Sequence, residues 1–506
     1  MKMKRKNIVL IGCLSILLMA ACTNVDEVVY DRYPAEDFYG TPEGADIALA
    51  SVYAEIPGEF VRNNASGVGY AGADNGWYDM NCMASDEQVI PHRNTGDWQQ
   101  DFARLHKHEW LPTDFIINNT WNWLYKSIFN ANLAVSLLED SRADEAKIAE
   151  ARVLRAFFYY LLIDDFGDVP FYTENTITVD QIPQASRKEV FDFIVKELTE
   201  NVELLSGTKG GNFYGRFNKW AGYMLLAKVY LNAEVYTGEA KWAECLEACL
   251  KVSEGGFNLH PAITDANLPL GNTYYELFGD VLPDDETILA IYATLDVLSR
   301  NIYTNRSLAG SHAQALFGYS GWNGTIVPKD FYLKYDDNDI RKQQYLVGEQ
   351  PGGVNYTLDV QSIDSPGAAP QAGVRNIKFY PVTPRTGGGA SNDFPIYRYA
   401  DALLMMAECH VRLGNSAAAK PFVDAIRERA GLAALTTNPT LEDIYNERGF
   451  ELNWEGHRRQ DMIRFGTFLE PNEFRGASSD YRKIFPIPTS ALDANPGLQQ
   501  NPGYEN

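Results

Sequence analysis

Cysteine is scarce in this 506-residue chain, with six residues at positions 13, 22, 82, 245, 249 and 409. That density excludes a disulfide-stapled scaffold. Histidine is almost as rare, and its seven residues are scattered. Only His106 and His108 lie close together, and apart from Glu109 they lack acidic partners at metal-ligand spacing. Positive charge is also short: 44 Lys and Arg stand against 67 Asp and Glu, a formal net charge of −23. Such a balance argues against nucleic acid, which is held by Lys and Arg contacts to phosphate. No H-E-x-x-H, G-x-S-x-G or Walker A sequence occurs. Residues 67–72 form a G-x-G-x-x-G string, but Asn63-Asn64 precede it and an Asp-Asn-Gly-Trp run follows, so the strand and helix of a dinucleotide site are missing. No apolar run reaches the ~20 residues of a membrane-spanning helix.

An uncharged, mostly apolar run covers residues 8–21 and follows Lys2, Lys4, Arg5 and Lys6. This is the pattern of a secretory signal. It ends Leu18-Met19-Ala20-Ala21-Cys22, which resembles a bacterial lipobox, where the Cys becomes the acylated first residue. Residues 1–21 are therefore expected to be a lipoprotein signal peptide, with Cys22 the lipid attachment site. The competing reading is an ordinary signal peptide with Cys22 incidental. An acylated Cys tethers a chain to a membrane without spanning it. The remaining chain is near −27, a charge suited to a solvated exterior.

Residues 22–40 are polar and read as an extended tether, and helical spacing starts at Thr41, with Ala45, Ala48, Leu49, Val52 and Tyr53 on one face. Residues 60–115 are rich in Gly, Asp, Asn and Trp and read as decorated loops. Helices are expected over 120–140, 144–166, 186–205, 218–233 and 240–252. Residues 156–163 are apolar on every side and should be buried. Ser186 and Glu189 have the spacing of a capping box. Small residues at the close-packing positions suggest degenerate tetratricopeptide-like hairpins. Residues 256–390 read as a loop-rich insertion with short strands, such as 288–292. Helices are expected again from Pro395, over 417–430, and as one helix over 441–465. The expected fold is mostly α in one domain over 22–506, made of an N-terminal helical part (41–255), the insertion (256–390) and a C-terminal helical part with its tail (391–506).

Four blocks match one family in order. They are Glu150-Ala-Arg-Val-Leu-Arg-Ala-Phe-Phe-Tyr159, running on to Phe166-Gly-Asp-Val-Pro170; Phe394-Pro-Ile-Tyr-Arg-Tyr-Ala-Asp through Glu408; Asn446-Glu-Arg-Gly-Phe-Glu-Leu-Asn-Trp-Glu-Gly-His-Arg458 with Asp461 and Arg464-Phe-Gly466; and Phe485-Pro-Ile-Pro488 with Asn501-Pro-Gly-Tyr504. Together they resemble the SusD/RagB family of outer-membrane nutrient-binding lipoproteins. The chain departs from the family at Gly449, where a larger residue is common, and at Phe465, where Trp is common. The resemblance implies a SusD-like α-superhelical fold and a glycan-binding role beside a SusC-like TonB-dependent transporter. It also implies a lipid-anchored position on the outer membrane, facing the exterior, with no catalysis and no cofactor. Asp26-Glu27 is similar to the acidic signal that directs such lipoproteins to the outer surface.

Read as chemistry, Glu447, Glu451 and Glu455 share one face of the expected helix, which is what a carboxylate pair of a glycosidase would need. Arg448, Arg458, Arg459 and Arg464 interleave with them, so interhelical ion pairs are the simpler reading. Asp164, Asp165 and Asp168 are expected to bond backbone groups where a helix ends. Cys245 and Cys249 are expected to be core thiols. Trp110, Trp121 and Trp123 are expected to pack helices.

The candidate ligand surface lies in three aromatic–polar loops: Asp74, Asn75, Trp77 and Tyr78; Trp98; and Tyr319, Trp322 and Asn323. A sugar has apolar C–H faces and a hydroxyl rim, so a flat ring flanked by amides and carboxylates suits it. The alternative for each ring is packing back onto the core. The leading functional reading is a non-enzymatic glycan-binding protein. The rivals are a SusD-like binder of peptides, a glycoside hydrolase and a pure interaction scaffold.

Overall fold

The computed structural model describes residues 38–58, 68–71, 75–92, 98–293, 301–364, 371–382 and 389–504. Cys22, Asp74 and the tether before residue 38 lie outside them. The chain is mostly helical, with short strands only. In order, α1 (Pro42–Tyr53), α2 (Trp77–Met83), α3 (Gln100–Lys107), α4 (Phe115–Asp140) and α5 (Glu145–Phe166) come first. The ribbon β1 (Val169–Pro170) with β2 (Gln184–Ala185) leads to α6 (Arg187–Asn201). Then follow α7 (Lys219–Leu231), α8 (Ala233–Thr237) and α9 (Trp242–Ser253).

The insertion carries β3 (Thr287–Ile291), α10 (Tyr303–Ser307), α11 (Gly310–Phe317), α12 (Lys329–Tyr332), β4 (Tyr345–Leu346), β5 (Gly348–Gln350), β6 (Val354–Tyr356) and β7 (Arg375–Asn376). The last part holds β8 (Phe394–Arg398), α13 (Tyr399–Arg412), α14 (Ser416–Arg429), α15 (Leu441–Leu452), α16 (Arg458–Arg464) and α17 (Thr489–Ala494). The pairs α4–α5, α7–α9 and α13–α14 are the tetratricopeptide-like hairpins. Every residue of α5 from Val153 to Phe166 is buried, as its all-round apolar sequence requires. Ser186 and Glu189 form a reciprocal capping box on α6. No described helix is long and apolar enough to cross a membrane.

Three expectations change. Residues 394–398 form a strand, not a helix start; β8 pairs antiparallel with β3, and α13 begins only at Tyr399. The apolar stripe from Ile396 crosses that boundary, so its spacing mixed two elements. The expected helix 441–465 breaks at 453–457, where Trp454 (φ 60°) and Gly456 (φ 84°) take left-handed backbone. Glu455 therefore leaves the helix face of Glu447 and Glu451. Within 60–115, residues 77–83 are helical, which turns Trp77 and Tyr78 inward.

The family-like blocks meet as a buried lattice of charge. Arg398 donates to Glu286 (2.8 Å), Glu451 (2.5 Å) and Glu455 (2.7 Å). Arg341 and Arg429 also pair with Glu451, and Lys378 with Glu455. Arg448 bridges Asp401 and Asp461 at 2.8 Å each, and Arg464 joins Glu408 to Asp461. Arg459 reaches Asp164 and Asp165, and Arg458 reaches Asp86. Ion pairing is thus the role of the third block. The interleaved arginines, however, pair with Asp461 of the same block and with Asp86, Asp164, Asp165, Asp401 and Glu408 rather than with Glu447, Glu451 and Glu455. Asp164 and Asp165 belong to this lattice too, while Asp168 accepts from the Arg187 backbone N–H, as a loop carboxylate should. Burial opposes ionisation of Asp461, yet Arg448 and Arg464 hold its carboxyl down to about 2. Gly449 fits the same lattice, since a Cβ there would lie 2.8 Å from the Arg458 guanidinium.

Cys245, Cys249 and Cys409 are buried, and burial pushes the Cys245 thiol up. Trp110, Trp121 and Trp123 are core residues. His106 is buried and pushed down to about 3, with Nδ1 bonded at 3.1 Å to the Met83 carbonyl.

Glu87 stands apart from the lattice. It is fully buried and accepts from the Trp454 backbone N–H at 3.1 Å, and burial pushes its carboxyl up from 4.5 to about 7. Between those values the folded chain holds a proton that the unfolded chain has lost, so this group's contribution to stability falls as pH rises from about 4.5 to 7. Glu87→Gln should therefore gain about 1–3 kcal/mol over the parent at pH 8 and nothing at pH 4.5. Urea unfolding at the two pH values checks this.

Candidate ligand-binding site

The aromatic loops separate into core and surface. Trp77 is 1% exposed and stacks on Tyr70 with centroids 4.2 Å apart. Tyr78 is equally buried; its hydroxyl donates to the Trp454 carbonyl and its ring lies 4.2 Å from that of Tyr303. Neither ring can serve as a surface platform. The Asn-Gly pair before them reads as a loop, but Gly76 is the N-cap of α2 and the helix carries both rings inward. Asn75 is half-buried with φ 78°, and its N–H donates to Asp79 at 2.7 Å. Tyr319 is 7% exposed and stacks on Phe317, and burial pushes its hydroxyl up to about 12.

Trp98 and Trp322 come together. The Trp98 indole N–H donates to the Trp322 carbonyl at 3.2 Å across 224 residues of sequence. The Trp98 carbonyl bonds His92 Nδ1 at 2.8 Å, and its ring meets Phe102 edge-on. A Cβ at Gly324 would lie 2.4 Å from the Trp98 ring, so only glycine lets that indole pack on the 318–325 turn. Trp98 is 7% exposed, whereas Trp322 is only partly covered. The Trp322 indole N–H reaches the Asn305 amide oxygen at 2.7 Å. Both indoles thus spend their polar edges inside the protein. With its N–H spent, the part of Trp322 left uncovered is apolar, and half-buried Asn323 follows it.

The turn is held by backbone bonds to α10. Trp322 N donates to Asn305 O (2.9 Å), Asn323 N to Leu308 O (2.8 Å) and Gly324 N to Arg306 O (2.7 Å). Arg306 then ties the turn to the early loops. Its Nε donates to Thr325 Oγ1 at 2.9 Å and its Nη1 to Asp79 at 2.7 Å, with both charged side chains no more than 2% exposed. Asp79 in turn holds the Asn75 N–H. A second seam runs beside it, where Val89 and Ile326 exchange backbone bonds at 2.9 and 2.8 Å. Asp79, Arg306 and Asn305 carry no sequence signal for this role, because a buried charge shows its function only through its partner.

The site contains a ring face and amides but no free acid pair. Glu447, Glu451 and Glu455 are 2%, 0% and 0% exposed and paired with cations. Among the described residues no cluster of His, Cys, Asp and Glu has metal-site geometry.

Comparison with known proteins adds the family. A family model described as "SusD family" matches residues 312–504. Another, described as "Starch-binding associating with outer membrane", matches residues 62–231. SusD-like protein P25 of Formosa agariphila is 26% identical over 456 residues, 77% of this chain and 79% of that protein. The starch-binding protein SusD of Bacteroides thetaiotaomicron is 24% identical over 478 residues, 81% of this chain and 82% of that protein. Among solved structures, surface glycan-binding protein A from Bacteroides thetaiotaomicron in complex with laminarihexaose shares the fold. Its TM-score is 0.71 at 22% identity, over 91% of this chain and 99% of that one. A SusD superfamily protein from Parabacteroides distasonis gives 0.73 at 23% identity, over 91% and 99%.

Proposed function

The chain belongs to the SusD family, and on that premise we propose that it is a glycan-binding lipoprotein of the cell surface. It captures oligo- or polysaccharide on the Trp98–Trp322–Asn323 corner and hands it to a SusC-like TonB-dependent transporter. The observation that carries this reading is the meeting of Trp98 and Trp322 from distant loops, beside the buried Arg306–Asp79 pair that ties the Trp322 turn to α2. A ring face with amide neighbours matches a sugar's apolar face and hydroxyl rim. The names of the relatives, a starch-binding protein and a glycan-binding protein, support the ligand class. The work is binding and handover, without bond chemistry, since the ordered acid array is spent on arginines. Acylated Cys22 is the outer-membrane tether, and the helical hairpins are the surface offered to the transporter.

The test is calorimetric titration of a form starting after Cys22 against a panel of polysaccharides and peptides, with product analysis of each mixture. Heat with a glycan and no new reducing ends is the expected result. Heat with peptides alone would replace the sugar assignment by peptide capture, and released sugar would establish a hydrolase.

A further inference from the structure

The polar part of the corner is set by a group that does not meet solvent. Arg375, on β7, is fully buried. Its Nη1 donates to the carbonyls of Ala372 (2.9 Å) and Gly373 (3.0 Å), and its Nη2 donates to Asn323 Oδ1 at 2.9 Å. Its guanidinium lies over the Tyr356 ring, 4.7 Å from the centroid, which fixes its plane. A guanidinium has donors only. The atom that Asn323 turns toward it must therefore be the amide oxygen. The nitrogen of a carboxamide points away from its oxygen, so Nδ2 is directed away from Arg375, and it meets no acceptor among the described residues. The backbone allows no escape by rotation of the turn, because Asn323 sits at φ 53° with its N–H on the Leu308 carbonyl.

The same reasoning orients Asn305. The Trp322 indole N–H can only donate, so it takes the Asn305 amide oxygen, and the Asn305 nitrogen donates to the Ser320 carbonyl at 3.1 Å. Both amides of the corner thus turn their acceptors inward.

We propose that Asn323, oriented by Arg375, is the residue that sets ligand polarity at this site. It presents an N–H2 donor beside the Trp322 ring face. The corner then accepts a ligand whose oxygen acceptor lies at the edge of an apolar ring face, such as a hydroxyl or ring oxygen of a sugar. It disfavours a ligand that brings only donors there, such as the ammonium of a lysine-rich peptide. This inference rests on the capture reading above and narrows it to one atom.

Asn323→Asp tests it, because the change is isosteric and separates two roles. Arg375 keeps its acceptor, and the bond becomes charge-assisted. The outward group changes from donor to acceptor. The wild-type protein, Asn323→Asp and Trp322→Ala are titrated with the same glycan, and thermal unfolding of each is recorded. The expected result for Asn323→Asp is a Kd at least tenfold higher with an unfolding midpoint no lower than wild type. A merely structural role would leave binding intact, since the contact to Arg375 survives. Asn323→Asp binding as tightly as wild type while Trp322→Ala fails to bind overturns this inference and leaves glycan capture standing. A wild type that binds no glycan, or a Trp322→Ala that binds like wild type, removes the capture reading and this inference together.

Discussion

Trp322→Ala should raise the Kd for the captured glycan about thirtyfold and leave the fold intact. The ring is partly covered by the protein, so a sugar stacked on its free face would remove on the order of 80 Å² of apolar surface from water. At ~25 cal/mol per Å² that is about 2 kcal/mol, or roughly thirtyfold in Kd. The turn itself does not depend on the indole, because the backbone bonds to Asn305, Arg306 and Leu308 hold it. Titration of the variant, with an unfolding curve as control, checks the effect. Trp77 is no substitute in such an experiment. It lies in the core, and its removal would confound binding with the cost of a cavity.

Arg398→Met should destabilise the chain by about 3–5 kcal/mol, because it leaves buried carboxylates short of a partner. Among the described residues Arg398 is the one cation that touches Glu286, Glu451 and Glu455 together. It also donates to the Glu451 carbonyl at 2.7 Å. Arg341, Arg429 and Lys378 remain after the change, but none spans all three acids. A loss of that size is a large share of the ~5–15 kcal/mol that typically separates folded from unfolded states. Urea unfolding at neutral pH reads it as a lower midpoint. A loss below about 1 kcal/mol would mean that the remaining cations suffice. Glycan affinity of the folded fraction should not change, since none of these groups reaches the Trp322 corner.

The two variants separate what is scaffold from what is site, and the sequence made that division only in part. Helices with clear apolar spacing, capped by Ser186 or Asp144, were legible from local pattern. The third family-like block was legible as an ion-pairing segment, because alternating Arg and Glu at helical spacing leaves few other uses. Which cation meets which acid was not, since Arg398 and Glu455 are 57 residues apart and the chain between them reverses direction. The break at Trp454–Gly456 was hidden because left-handed backbone at a tryptophan has no compositional mark. Trp77 read as a loop residue because Asp-Asn-Gly precedes it, and one glycine N-cap converted that loop to a helix. Trp98 and Trp322 were each legible as loop aromatics, but their meeting was not. It joins residues 224 positions apart beside the buried Asp79–Arg306 pair, and nothing in the local sequence of either tryptophan marks its partner.

The most direct test of the central claim is a crystal structure of the chain from residue 23 onward with the glycan that titration identifies. The expected result is a sugar ring stacked on the Trp322 indole, with one of its oxygens within hydrogen-bond distance of Asn323 Nδ2. A glycan bound elsewhere, for example in the apolar cleft between α1 and the β3–β8 ribbon beside Tyr292, with Trp322 bare, would contradict it.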